Sequence, residues 1–327
     1  MTSHRKQILD WVRQGHLNED SLGEALRLAE ADPSPMDWRH FIDRLMLWLG
    51  TIFMAAGVIF FFAFNWHEMS RYTKLGLVEF LIVVTVALCW KLGLDKLSGK
   101  AALLALTLLI GALLALVGQI YQTGADPWQL FATWALMVIP WVAIGRFGAL
   151  LLCWVGLVNV SLALYFQAFP RFFGLVGVLF STEALLWALF AFNTVILCFW
   201  EFAAQRQVDW LSERWPLRVL AVASGGLITT LAIWAIFDFR SFSIFGLLGY
   251  FVWLATAYFI YRHKFLDIFV LAGGVLSLII VVTSGLSKLM LSHGESSSAL
   301  LAIGLMVIGL SAAGGYWLKS ITLEERQ

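Results

Sequence analysis

Ten stretches of this chain are each apolar over about the length that a bilayer requires, and that leaves it few ways to fold. Inside a hydrocarbon slab no water is present to satisfy backbone N–H and C=O groups. Only structures that pair those groups internally can cross it, and for runs of about 20 apolar residues that structure is the α-helix. The runs are roughly 45–64, 75–92, 101–121, 128–145, 147–169, 182–202, 217–237, 244–261, 266–285 and 299–318. The fourth and fifth are separated only by Gly145, Arg146 and Phe147. Pro140 and the Gly145–Arg146 pair supply a break between them, since one helix through both would be far too long. The segment 170–181 is apolar but too short to span. It reads as an interfacial or re-entrant piece, or as an extension of a tilted neighbour.

Composition agrees. The chain is 61% apolar and 13% charged, against about 25% charged in soluble domains. In water that surface would aggregate. The 16 Trp suit headgroup interfaces. The expected fold class is therefore all-α, a polytopic transmembrane bundle of about ten spans.

Lys and Arg fix an expected orientation. With ten spans, only Arg71, Lys74, Arg171, Arg240 and Lys288 of the 22 basic residues fall on the side opposite the N-terminus. By the positive-inside rule both termini are cytoplasmic, in a bacterial inner membrane. Residues 1–44 read as a short cytoplasmic helical hairpin, 45–320 as the membrane domain and 321–327 as a tail. In the hairpin, Ile8, Leu9, Trp11 and Val12 form one stripe, which Gly15 ends. Asn18 or Asp20 caps a second helix bearing Leu22, Ala25, Leu26 and Ala29, and Pro33 and Pro35 end it. Acidic Glu19, Asp20, Glu24 and Glu30 argue against a DNA-reading helix, so no nucleic-acid partner is expected.

Polar residues within apolar runs mark packing or functional sites, because they are costly in lipid. On the inferred topology Glu79, Gln119, Gln122, Asp126 and Glu183 gather toward the outer side, near Asn65, His67 and Glu68. They form a candidate polar cup; the plainer reading is that groups near the interface simply reach water and that Asp126 caps the next helix. Asn159 and Asn193 fall near the midplane of adjacent spans and can bond each other, or line a solute path. Recurrent glycines serve close helix packing. No HExxH, GxSxG or phosphate-loop motif is present, and the six histidines lie outside the spans without metal spacing. Cys89, Cys153 and Cys198 are widely spaced packing residues. No catalytic residue, metal or cofactor is expected.

The run GALLALVGQIYQTGADPWQLFATWALMVIPW, with WVRQGHLNEDSLGEAL and LWLGTIFMAAGVIFFFAFNW before it, resembles a bacterial family of predicted membrane proteins, domain of unknown function 2157. The resemblance covers about residues 5–170. It implies an inner-membrane protein without an assigned activity, accompanied by a second multi-span protein and a small periplasmic protein. Three roles follow as expectations. Ten helices with both ends inside suit a small-molecule permease of two inverted halves, 45–169 and 172–318. A non-catalytic component of an envelope complex is the alternative. A lipid-acting intramembrane enzyme using Glu79, Asp126 and Glu183 ranks last.

Overall fold

A computed structural model describes residues 8, 11–12, 16–18, 21–28, 35–65, 68–169, 174–206, 209–211, 213–237, 244–291 and 296–324. Among them no strand occurs. A short α1 (Leu22–Leu28) is followed by α2 (Pro35–Phe64), α3 (Arg71–Leu92), α4 (Leu97–Tyr121), α5 (Pro127–Gly145) and α6 (Gly148–Ala168). Then come α7 (Gly174–Gln205), α8 (Arg214–Phe237), α9 (Ile244–Phe259), α10 (Ile268–Leu291) and α11 (Ser296–Glu324). Ten of these, α2 to α11, are long and apolar enough to cross a membrane, α9 together with the turn that continues it to Lys264. The chain is a multi-pass membrane protein.

Helix ends depart from the apolar runs for identifiable reasons. The helix α2 starts at Pro35, not Leu45, and continues through residues read as part of the hairpin. Pro35 opens this helix, because a proline fits the first turn, where its missing N–H is not needed. Pro140 lies within α5, and the break falls at Arg146, which adopts left-handed φ 48° and donates its N–H to the Val142 carbonyl. Residues 174–181 are the first part of α7, the extension alternative. In the N-terminal segment Ile8 and Leu26 are buried. The Asn18 carbonyl accepts both the N–H (3.0 Å) and the hydroxyl (2.8 Å) of Ser21. Leu9, Gly15, Asp20, Ala29 and Pro33 lie outside the described residues.

The chain forms two compact units, Met1–Tyr121 and Gln122–Gln327. In the first, α2 and α3 both pack on α4. Leu116 of α4 packs on Val78 of α3, and among the buried residues of α4 are Leu103, Leu106, Thr107, Ile110 and Gly111. Recurrence at three and four residues brings these onto one stripe. The α3–α4 connection is tight. A Cβ on Gly99 would lie 1.9 Å from the Gly93 carbonyl oxygen, and Gly93 has φ 76°. Only glycine meets both demands.

In the second unit α8 is central, with α7, α9 and α10 packed around it. Its buried positions, Leu217, Leu220, Ala221, Ser224, Gly225, Ile228, Thr229, Leu231, Ala232 and Ala235, repeat at helical spacing. Neighbouring helices add Trp200, Tyr250, Tyr261 and Ile321 to the cores. Large apolar side chains such as Phe60, Phe64, Trp90, Val195 and Leu305 face outward, where lipid solvates them.

Candidate functional site

The polar residues of the second unit divide into a line of hydroxyl and amide links and a charged cluster beside a cavity. The links begin between α6 and α7. Asn159 Nδ2 donates to Asn193 Oδ1 at 3.2 Å, and Asn193 Nδ2 donates to Asn159 Oδ1 at 2.7 Å and to the Leu189 carbonyl at 2.8 Å. The next residue, Thr194, shares a hydrogen bond of 2.6 Å with Ser224 of α8. One and a half turns along α8, Thr229 is 2.7 Å from Ser277 of α10, which donates to the Tyr250 hydroxyl of α9 at 3.1 Å. Each group thereby meets a partner on a neighbouring helix, which replaces the water it lacks.

The charged cluster lies at the C-terminal end of α7 and the N-terminal ends of α8 and α10. Glu201 is 8% exposed and accepts from Arg214 Nη1 at 3.2 and 3.4 Å on its two oxygens. Asp267, 4% exposed, accepts from Arg218 Nε at 3.2 Å and from the Phe269 N–H at 3.1 Å. The second bond satisfies an orphan donor in the first turn of α10. Arg262 is paired with Glu324. Arg214 and Arg218 also lie over the rings of Phe265 and Phe269, at 5.8 and 5.5 Å.

Between α9 and α10 the chain makes one π-helical turn, Ile260–Lys264, closed by the Phe265 N–H on the Ile260 carbonyl at 3.0 Å. Such a turn inserts an extra residue and re-aims the side chains that follow. Here it buries Tyr261 and brings Lys264 and Phe265 to the wall of a cavity of about 230 Å³. Thr194, Cys198, Glu201 and Gln205 form one side of that cavity, and Trp253, Thr256 and Tyr261 another. The residues on α7 recur every three or four positions, so the Thr194 hydroxyl and the Glu201 carboxylate share one face about two turns apart. The result is a mostly apolar chamber with a buried carboxylate and several hydroxyls. It can take up a small amphipathic solute whose donors reach Glu201 and the threonines.

Glu79, on α3, and Gln119, on the last turns of α4, are exposed residues of the first unit. Gln122 (φ 44°), Asp126 and Glu183 belong to the second. Asp126 sits at the start of α5 with its carbonyl, not its carboxylate, in the first helical hydrogen bond, to the Gln129 N–H at 3.0 Å. Glu183 is half-buried on α7. Asn65 bonds back to the Phe61 carbonyl, and His67 lies outside the described residues. Asn159 and Asn193 face each other.

Sequence reasoning missed Glu201 and Asp267. Their arginines served only to orient the chain, and the acids among them went unmatched. The available signal was a carboxylate at the end of one apolar run, Glu201, and another at the start of a later run, Asp267, both beside arginines on the same side. All three cysteines are free. Among the described residues no group of His, Cys, Asp and Glu is arranged to hold a metal ion.

Residues 9–151 match the model of a family described as predicted membrane protein, DUF2157. The cavity residues lie C-terminal to that stretch. No curated protein and no solved structure matches the chain.

Proposed function

We propose that this protein is a permease-like bundle of the bacterial inner membrane, with both termini cytoplasmic, and that the Glu201 cavity binds its small amphipathic solute. One observation carries the reading. A carboxylate is kept almost fully buried at the wall of a chamber, paired with Arg214, with Thr194 on the same wall and Thr256 and Tyr261 on another. Burying a charge is unfavourable unless it is compensated, and a site that must recognise a polar head inside an apolar protein is a reason to keep one. The positive-inside asymmetry supports the cavity's opening on the cytoplasmic side, because Arg206, Arg214, Arg218, Arg262 and Lys264 flank it in sequence.

Cys198 lines the cavity and provides the test. In a variant with Cys89→Ala and Cys153→Ala, it is the single thiol. A membrane-impermeant maleimide reacts with a thiol in water but not with one in hydrocarbon. The expected result is labelling in inverted vesicles and little in right-side-out ones, with Glu201→Leu reducing the rate by drying the chamber. Absence of labelling from either face of folded protein would show a lipid-sealed wall and would sink the reading.

A further inference from the structure

A second, larger hollow lies in the second unit, a groove of about 580 Å³ between α9, α10 and α11. Its walls are hydrocarbon and aromatic rings, including Phe251, Leu254, Val275, Leu278, Ile279 and Leu310. It spans α10 from Val270 to Val282, about 18 Å at about 1.5 Å per residue. One leaflet of a bilayer core is about 15 Å deep, half of about 30 Å. The groove is therefore as long as the hydrocarbon depth of a single leaflet.

One end of the groove differs from the other. Tyr258 and Trp317 close it, with ring centroids 6.0 Å apart, and such rings favour the headgroup level. One turn beyond Tyr258 comes the π-helical turn with Arg262, His263 and Lys264, and two residues beyond Trp317 comes Lys319. Among the described residues Glu201 is matched by Arg214, Asp267 by Arg218 and Glu324 by Arg262, while Glu213 accepts from the Trp215 Nε1–H. Lys264 and Lys319 are exposed and have no ion-pair partner among the described residues. His263 is exposed and stacks on Phe259 at 5.3 Å.

We propose that the α9–α11 groove holds an acyl chain of an anionic phospholipid whose headgroup sits on Lys264 and Lys319. Length, apolar walls and surplus positive charge at the aromatic end all match that one molecule. A zwitterionic lipid offers a phosphate whose charge its own ammonium offsets, so it leaves the two lysines' net positive charge uncompensated, and a second copy of the chain would need an apolar surface without the charged end. The groove adjoins the Glu201 cavity, since Ala257 and Val270 line both and Lys264 lines that cavity, but Lys319, Ala255 and Ala313 do not line it, so variants at those three positions test the groove apart from the Glu201 reading.

The test uses the full chain reconstituted in vesicles of equal parts phosphatidylglycerol and phosphatidylcholine, then released for native mass spectrometry. Wild type is expected to retain phosphatidylglycerol over phosphatidylcholine. Lys264→Gln and Lys319→Gln should each lower that preference about fivefold, the effect of about 1 kcal/mol per lysine at a membrane surface. Ala255→Phe and Ala313→Phe place a ring in the groove from exposed alanines and should abolish retention of the lipid. Leu305→Phe, on an outward face of α11 that does not line the groove, should behave as wild type and controls for folding. Equal retention of the two lipids by wild type would overturn the proposal. So would full retention in both phenylalanine variants. Dimers that those two variants dissociate would assign the groove to a second copy instead.

Discussion

The helices α4 and α8 each sit at the centre of their own unit, yet different chemistry holds them there. Around α4 the core cluster is hydrocarbon, Val78 and Leu116 with Val58, Leu75, Leu113 and their neighbours, although Lys74 of α3 is also buried and engaged. The hydroxyls of Thr51, Thr85 and Thr107 donate to the carbonyl four residues back in their own helices. Around α8 the hydroxyls reach across to other helices, Ser224 to α7 and Thr229 to α10, and Arg214 and Arg218 fasten its first turn to Glu201 and Asp267. Lipid tails are as apolar as leucine, so burial from water does not favour one helix neighbour over another inside a bilayer. Dispersion, which dominates the core cluster around α4, specifies register only weakly. Directional bonds specify the register of α8, and the chamber containing Glu201 is built on that specified half.

This contrast can be broken at graded cost. Arg214→Ala should destabilise most, by about 3 kcal/mol, because it strands the buried Glu201 carboxylate; the guanidinium's partial exposure places the effect at the lower end for buried pairs. Glu201→Gln with Arg214→Gln should recover much of the loss. Thermal unfolding of detergent-purified protein, followed by tryptophan fluorescence, reads both, and an unaltered midpoint for the single alanine variant would dismiss the pair as an organiser.

Close packing around α8 gives the next effect. A Cβ on Gly225 meets the Trp253 ring at 2.8 Å, while one on Gly226 meets nothing within 4 Å. Gly225→Ala should cost about 1–2 kcal/mol, whereas Gly226→Ala should be neutral or stabilise by up to about 1 kcal/mol. Matching midpoints for the two variants would contradict tight packing at that face.

For the amide pair, the double-mutant cycle of Asn159→Ala and Asn193→Ala should return a coupling of about 0.6–1.7 kcal/mol. Strict additivity would mean that the two residues act separately. The smallest effect belongs to the first unit. Thr85→Val removes a hydroxyl bonded within α3 and should change stability by less than about 0.5 kcal/mol. A loss as large as the Asn coupling would erase the distinction between the units.

The spans were readable because about 20 apolar residues in a row is a signal that few other structures produce. The Asn159–Asn193 contact was also readable. Two isolated amides at similar depth in consecutive spans have few alternative partners. Glu201 was not. Its identity as a buried, paired group depends on Arg214 and on the rotation of α7, α8 and α9 about their axes, and a run that is apolar on every side carries no stripe to set that rotation. The π-helical turn escaped for a related reason, since one extra residue in a helix changes neither its composition nor its length enough to register.

Sequence alone therefore determined that the chain is a many-helix membrane protein and roughly where each helix runs, because both properties follow from hydrophobic length summed over segments. Tertiary structure decided which faces meet, that α8 rather than another helix is the hub of its unit, and that Glu201 and Lys264 line one cavity while Tyr258 and Trp317 line an adjoining apolar groove. Those outcomes depend on helix rotation and side-chain fit, and hydropathy is blind to both.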